Sequence, residues 1–73
     1  MERILVIGAN GQIGSELVEA LALKFGADNV VAADIAPASL AGARHYETLD
    51  VLDAARLAEV VARHGITQIG RAS

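Results

Sequence analysis

Gly8-Ala9-Asn10-Gly11-Gln12-Ile13-Gly14 is the stretch whose reading decides the fold. It follows Arg3-Ile4-Leu5-Val6-Ile7, an apolar run of the kind found where a strand is covered on both faces in the middle of a parallel sheet. Beyond the stretch the period changes. Ile13, Leu17, Leu21 and Phe25 recur every four residues, with Val18 widening the stripe and Gln12, Ser15, Glu16, Glu19 and Lys24 lying mostly elsewhere. That spacing predicts a helix from Gly11 to about Phe25, packed on the sheet by the stripe and stopped by Gly26.

Working outward, Asn29-Val30-Val31-Ala32-Ala33-Asp34 is short, β-branched and apolar, and completes a right-handed strand-helix-strand unit. Pro37 and Gly42 punctuate the next segment, for which one helical turn around Ala38 to Ala41 is expected. His45-Tyr46-Glu47-Thr48-Leu49-Asp50 reads as an edge-like third strand. A second helix follows, capped by Asp53, with Leu57, Val60, Val61 and His64 at the i, i+3, i+4 and i+7 positions and Gly65 as its stop. Ile66-Thr67-Gln68-Ile69 is expected as a fourth strand. The class is therefore α/β, half of a Rossmann-type doubly wound parallel sheet in the order 3-2-1-4, ending after the fourth strand, with a ligand expected at the crevice between strands one and four.

Each glycine of the stretch has its own physical task. Gly8 lets the backbone turn sharply out of the strand, Gly11 has no Cβ to obstruct a phosphate, and Gly14 lets the helix press against the strand. The start of the helix offers unpaired N–H groups and a positive dipole end to an anion. Asn10 and Gln12 can add side-chain hydrogen bonds. Glycines at this spacing also serve simple tight packing, so the context matters: strand before, amphipathic helix after, and Asp34 at the end of the second strand, 20 residues beyond Gly14. Together these features predict a site for the pyrophosphate and adenosine of a dinucleotide. Asp34 would accept hydrogen bonds from the ribose hydroxyls, and its charge, with Ile35, Ala36 and Pro37 next to it and no Arg, favours NAD over NADP. The alternative for Asp34 is a solvated residue at a strand end. Asp50 is placed to bond the adenine amino group, with Val51 and Leu52 beside the ring, while turn and cap duty competes for both Asp50 and Asp53.

Composition narrows the rest. The chain has 73 residues, 53% of them hydrophobic and 3% aromatic, so a core must be built from aliphatic side chains in layers. At this size a domain buries only about 60% of its unfolded surface, and stability is marginal. Cysteine is absent, which excludes disulfides and thiolate metal sites. A net charge of −3 with singly scattered Lys and Arg argues against nucleic acid, and the apolar runs are too short for a membrane span. No leader is apparent, and a cytoplasmic setting is the expectation. His45 and His64 lack partners at metal-ligand spacing, so surface or helix-end roles are expected of them. No base is placed beside Ser15, Ser39, Tyr46, Thr48 or Thr67, and none is assigned catalysis.

The segments Ile4 to Gly14, Val30 to Ile35 and Leu49-Asp50-Val51-Leu52-Asp53 resemble the N-terminal part of the extended short-chain dehydrogenase/reductase family, and within it the epimerase-like L-threonine 3-dehydrogenases, from about Arg3 to Ile69. Such enzymes oxidise the hydroxyl of L-threonine to 2-amino-3-oxobutanoate and pass a hydride to NAD. The resemblance implies that Gly8, Gly11, Gln12, Ile13 and Gly14 line the pyrophosphate, Asp34 and Ile35 the adenosine ribose, and Asp50 and Val51 the adenine. It carries over no catalytic residue. The family's Tyr-x-x-x-Lys pair lies beyond the fourth strand, and Tyr46 is followed four positions on by Asp50.

Residues 1–69 thus read as a dinucleotide-binding half-domain and 70–73 as a tail, the small polar Gly70-Arg71-Ala72-Ser73 suggesting a truncation, a frameshift or an engineered scar. Three functions fit: a cofactor-binding module inactive alone, a fragment of a dehydrogenase active with its missing half, or a folding module that self-associates as a homodimer through an open sheet edge without nucleotide.

Overall fold

The computed structural model describes residues 2–36 and 45–71; the helical turn expected around Ala38 to Ala41 lies outside them. Strands β1 (Ile4–Ile7), β2 (Val30–Asp34), β3 (His45–Thr48) and β4 (Gln68–Arg71) form one parallel sheet in the order β3-β2-β1-β4, as expected. Helices α1 (Gln12–Phe25) and α2 (Ala54–His64) cover its opposite faces. This is the half-sheet of a Rossmann-type α/β fold.

Strand parity explains the layering. Ile4 and Val6 of β1 and Val30 and Ala32 of β2 face Val18 of α1, joined by Leu17, Leu21, Phe25 and Tyr46. Leu5, Ile7, Val31 and Ala33 face the other way, onto Leu49 and Val60, with Leu57, Val61 and Ile66 around them. Both central strands are therefore buried on both faces, which is why they read as unbroken apolar runs.

The structure corrects several readings; β3 ends at Thr48, two residues short of the expected Asp50, because Leu49 turns into the α2-side core and Asp50 into a turn. Ile13, expected in the stripe of α1 that packs on the sheet, is 67% exposed, because it lies on the first turn, beyond the end of the strands. Asn29 belongs not to β2 but to a short 3₁₀ turn (Ala27–Asn29), where its Nδ2 donates to the Phe25 carbonyl at 2.6 Å and caps α1. The fourth strand starts two residues later than expected and takes in Gly70 and Arg71 of the supposed tail. The reason is local. Gly65 adopts the left-handed conformation at φ 63°, and the Ile66 N–H bonds back to Val61 O at 3.0 Å, with Ile66 and Val61 packed in the same apolar cluster. Ile66 thus completes a Schellman cap and is not available to the ladder. Among the described residues the outer edge of β4 is unpaired.

The edge strand β3 is held to α2 by charge. Glu47, whose side chain is only 12% exposed, accepts from Arg56 Nη2 at 2.9 Å and Arg63 Nη1 at 3.2 Å, and lies 2.6 Å from His64 Nε2. Glu59 links the two arginines from the solvent side at 3.0 and 2.6 Å. The hydrogen bond with His64, then the arginines, hold the Glu47 carboxyl below its ordinary value of 4.5 against the opposing effect of burial. A depressed carboxylate contributes stability above its unfolded value and loses it as pH falls through its folded value. Glu47→Gln is therefore expected to cost about 1–2 kcal/mol near neutral pH, between a surface and a buried pair. The gap from the wild-type chain should close on acidification through and below the carboxylate range, as read from urea midpoints at each pH.

Candidate functional site

The carboxyl ends of β1, β2 and β3 lie along one edge of the sheet, and the candidate residues lie on the segments that leave it. Gly8 leaves β1 at φ 80°, a conformation that L side chains rarely adopt, and its N–H and that of Ala9 both donate to Ala33 O, at 2.9 and 3.1 Å. The chain is thereby bent back over the end of β2 before α1 begins.

Gly14 and Gly11 differ in what they need. A Cβ on Gly14 would lie 2.0 Å from Gly8 O and 2.8 Å from Ala9 Cα, so the bare backbone of α1 is pressed onto the backbone of the turn. A Cβ on Gly11 would meet only Gly8 O, at an ordinary 3.8 Å, and Gly11 has φ −73° and ψ 167°, open to any residue. Folding requires glycine at 14 and does not require it at 11. A glycine that leaves room above an exposed helix start fits a ligand that comes close to the backbone there.

The helix start itself is suited to an anion. Gly11 is the N-cap, no side chain caps the helix, and the first turn carries no acidic residue. The leading N–H groups are thus left for an outside acceptor. Gln12 and Ile13 are exposed on this turn.

Asp34 ends β2 directly across from the turn. Its Oδ2 accepts from the Asn10 N–H at 2.9 Å and its Oδ1 from the Ile35 N–H at 2.7 Å. Each carboxylate oxygen keeps further acceptor capacity, enough for a diol. Ile35 is 69% exposed beside it. The sequence reading gave Asp34 a ligand or a solvated strand end; the structure adds that the same carboxylate fastens the glycine turn.

Asp50 and Val51 follow β3 on this edge. Asp50 Oδ1 accepts from the Leu52 N–H at 2.9 Å and Asp50 O from the Asp53 N–H at 2.9 Å, so Asp50 shapes its own turn while its side chain remains exposed. Val51 is half-buried and packs against the α2-side cluster. Asp53 caps α2, its Oδ1 accepting from the Arg56 N–H at 3.0 Å. His64 is bound to Glu47, and His45 Nε2 lies 3.4 Å from Asp28 Oδ1. Among the described residues no group of His, Asp and Glu is arranged to hold a metal.

Sequence reasoning missed Tyr46. Its hydroxyl meets Asn10 and Ala36 at this edge. The signal was available in the parity of β3, since Tyr46 pairs with Ala32 and so shares the face of Asp34.

Residues 4–72 match the NAD dependent epimerase/dehydratase family. An uncharacterized epimerase/dehydratase of Staphylococcus saprophyticus is 44% identical over 64 residues, which are 84% of this chain and 20% of that protein. Among solved structures, a partial consensus L-threonine 3-dehydrogenase superposes with a TM-score of 0.90 at 49% identity. The holo form of a GalE-like L-threonine dehydrogenase from Cupriavidus necator superposes with a TM-score of 0.90 at 46% identity. Each superposition covers 97% of this chain and 23% of the other. The chain thus spans about a fifth of the length of the relatives it matches. No helix among the described residues is long and apolar enough to cross a membrane.

The contrast between the two glycines is directly measurable. Gly14→Ala, which drives a Cβ into backbone that cannot move aside, is expected to cost about 3 kcal/mol or more and to unfold much of the population. Gly11→Ala is expected to change the urea midpoint by the equivalent of less than about 0.5 kcal/mol.

Proposed function

This chain belongs to the NAD dependent epimerase/dehydratase family, and we propose that it binds NAD(H), with the pyrophosphate on the turn from Gly8 to Gly14 and the adenosine against Asp34, Ile35, Asp50 and Val51. The observation that carries the reading is the open position above Gly11 within one hydrogen-bonded step of Asp34. Diphosphate and ribose are neighbours in a dinucleotide, and here their two recognition elements are joined by the Asn10 N–H.

The leading N–H groups of α1, around Gln12 and Ile13, would receive the phosphate oxygens, aided by the Asn10 and Gln12 side chains. Asp34 would take the ribose diol through the lone pairs that its backbone donors leave open. A 2′-phosphate would bring its charge against the same carboxylate, so NAD is the preferred form. Exposed Ile35 and the turn at Asp50 and Val51 would flank the adenine, a flat apolar ring with a polar rim. The bound nicotinamide supplies hydride transfer; this chain's residues hold and orient the adenosine end.

Within a polypeptide of its relatives' length, the chain would form the cofactor-binding part of an oxidoreductase resembling an L-threonine 3-dehydrogenase. By itself it is expected to be inactive, because Tyr46 lacks a lysine four positions on. Dependence on an intracellular cofactor supports a cytoplasmic setting.

Calorimetric titration with NAD, ADP-ribose and NADP tests the reading. NAD and ADP-ribose are expected to bind weakly but with similar affinity, since few contacts reach the nicotinamide, and NADP at least about tenfold more weakly, a difference of about 1.4 kcal/mol. Gly11→Val, which fits the extended backbone at that position, should leave the fold intact and abolish binding, and Asp34→Ala should also abolish it. Absence of heat from the folded wild-type chain at millimolar NAD would refute the proposal.

A further inference from the structure

Asp34 is not the only group that joins the glycine turn to the end of β2. The Tyr46 hydroxyl accepts from Asn10 Nδ2 at 3.1 Å and donates to the Ala36 carbonyl at 2.6 Å. Asn10 belongs to the turn that precedes α1, and Ala36 lies two residues beyond the end of β2. One hydroxyl on the third strand therefore spans both walls of the edge at which the first two strands end.

The body of the side chain is fixed independently of that hydroxyl. Tyr46 packs its ring against the α1-side cluster that contains Val6, Ala9 and Ala32. A phenol is rigid beyond its two side-chain torsions, so a ring anchored in the core holds its oxygen at a set position. The Asn10 backbone is tied to Asp34 and the Asn10 side chain to Tyr46, so Asn10 holds the turn to residues of β2 and β3 that share one face of the sheet.

We propose that Tyr46 is a positioning residue which sets the distance between the pyrophosphate-binding turn and the ribose-binding end of β2, so that a ligand spanning both meets a preformed site. The inference rests on the cofactor reading above and goes beyond it by separating ligands according to how many walls they touch. A ligand that bridges both walls gains from their fixed spacing. A ligand held by one wall does not.

Tyr46→Phe keeps the ring and its packing and removes only the bridging oxygen. Wild-type chain and variant are titrated with ADP-ribose, which reaches both walls, and with adenosine and inorganic pyrophosphate, which reach one each, while thermal melts verify that both proteins are folded. ADP-ribose affinity is expected to fall about fivefold to tenfold in the variant, the size of one to two net hydrogen bonds. Adenosine and pyrophosphate affinities are expected to change by less than about twofold. An unchanged ADP-ribose affinity overturns the proposal, and so does a parallel loss for all three ligands, which would mark general loosening. Failure of the wild-type chain to bind any of the three would instead bring down the cofactor reading and this inference with it. If Tyr46→Phe melts within the binding range, both proteins are titrated at a temperature below its melt and judged by the same ratio of bridging to single-wall ligands.

Discussion

The contact between the backbones of Gly14 and Gly8 governs this molecule. With 2.0 Å between a would-be Cβ and the Gly8 carbonyl oxygen, α1 can lie where it does only because position 14 carries no side chain. That approach fixes the first turn of the helix over the end of β1. The positive φ of Gly8 then directs the chain across β2, where Ala33 O takes two successive N–H groups and Asp34 takes a third. The uncapped helix start and the exposed Gly11 owe their place at the end of β1 to this close approach, and the bonds to Ala33 and Asp34 set the turn against the carboxylate opposite.

The two faces of the sheet divide the work. On the α1 face lie Asp34 and Tyr46, both bonded to Asn10, so polar groups at the edge rest on an aliphatic base. On the α2 face lies Glu47 with Arg56, Arg63 and His64 around its carboxylate. Tyr46 and Glu47 are consecutive residues, and strand geometry alone sends them to opposite sides. An edge strand with few apolar contacts is thus anchored twice, once by a ring and a hydroxyl, once by an ion cluster. The second anchor steadies the element on which the first depends.

Much of this architecture was legible in the order of residues. The apolar runs of β1 and β2, the four-residue recurrence in α1, Asp53 as a cap and Gly65 as a stop all express short-range rules, and the structure follows them. The glycine turn and Asp34 were legible as a pair because their spacing reflects the length of one strand-helix-strand unit. Boundaries were less so. Ile66 satisfies the pattern of a strand equally well, but a helix end with unpaired carbonyls competes for its N–H and prevails. Ile13 fits the helical stripe, yet the sheet ends before reaching it.

By itself, then, the order of residues determined which segments become strands and helices, which of their faces are apolar, and where the backbone turns, because those outcomes depend on neighbours within about one helical turn or two strand positions. Only the tertiary structure decided that Gly14 and not Gly11 is demanded by packing, that Asp34 fastens the turn it faces, and that Tyr46 and Glu47 are tied to groups up to 36 residues away. Those results rest on distances between atoms remote in sequence, which no periodicity encodes and which exist only once the sheet has brought its strands together.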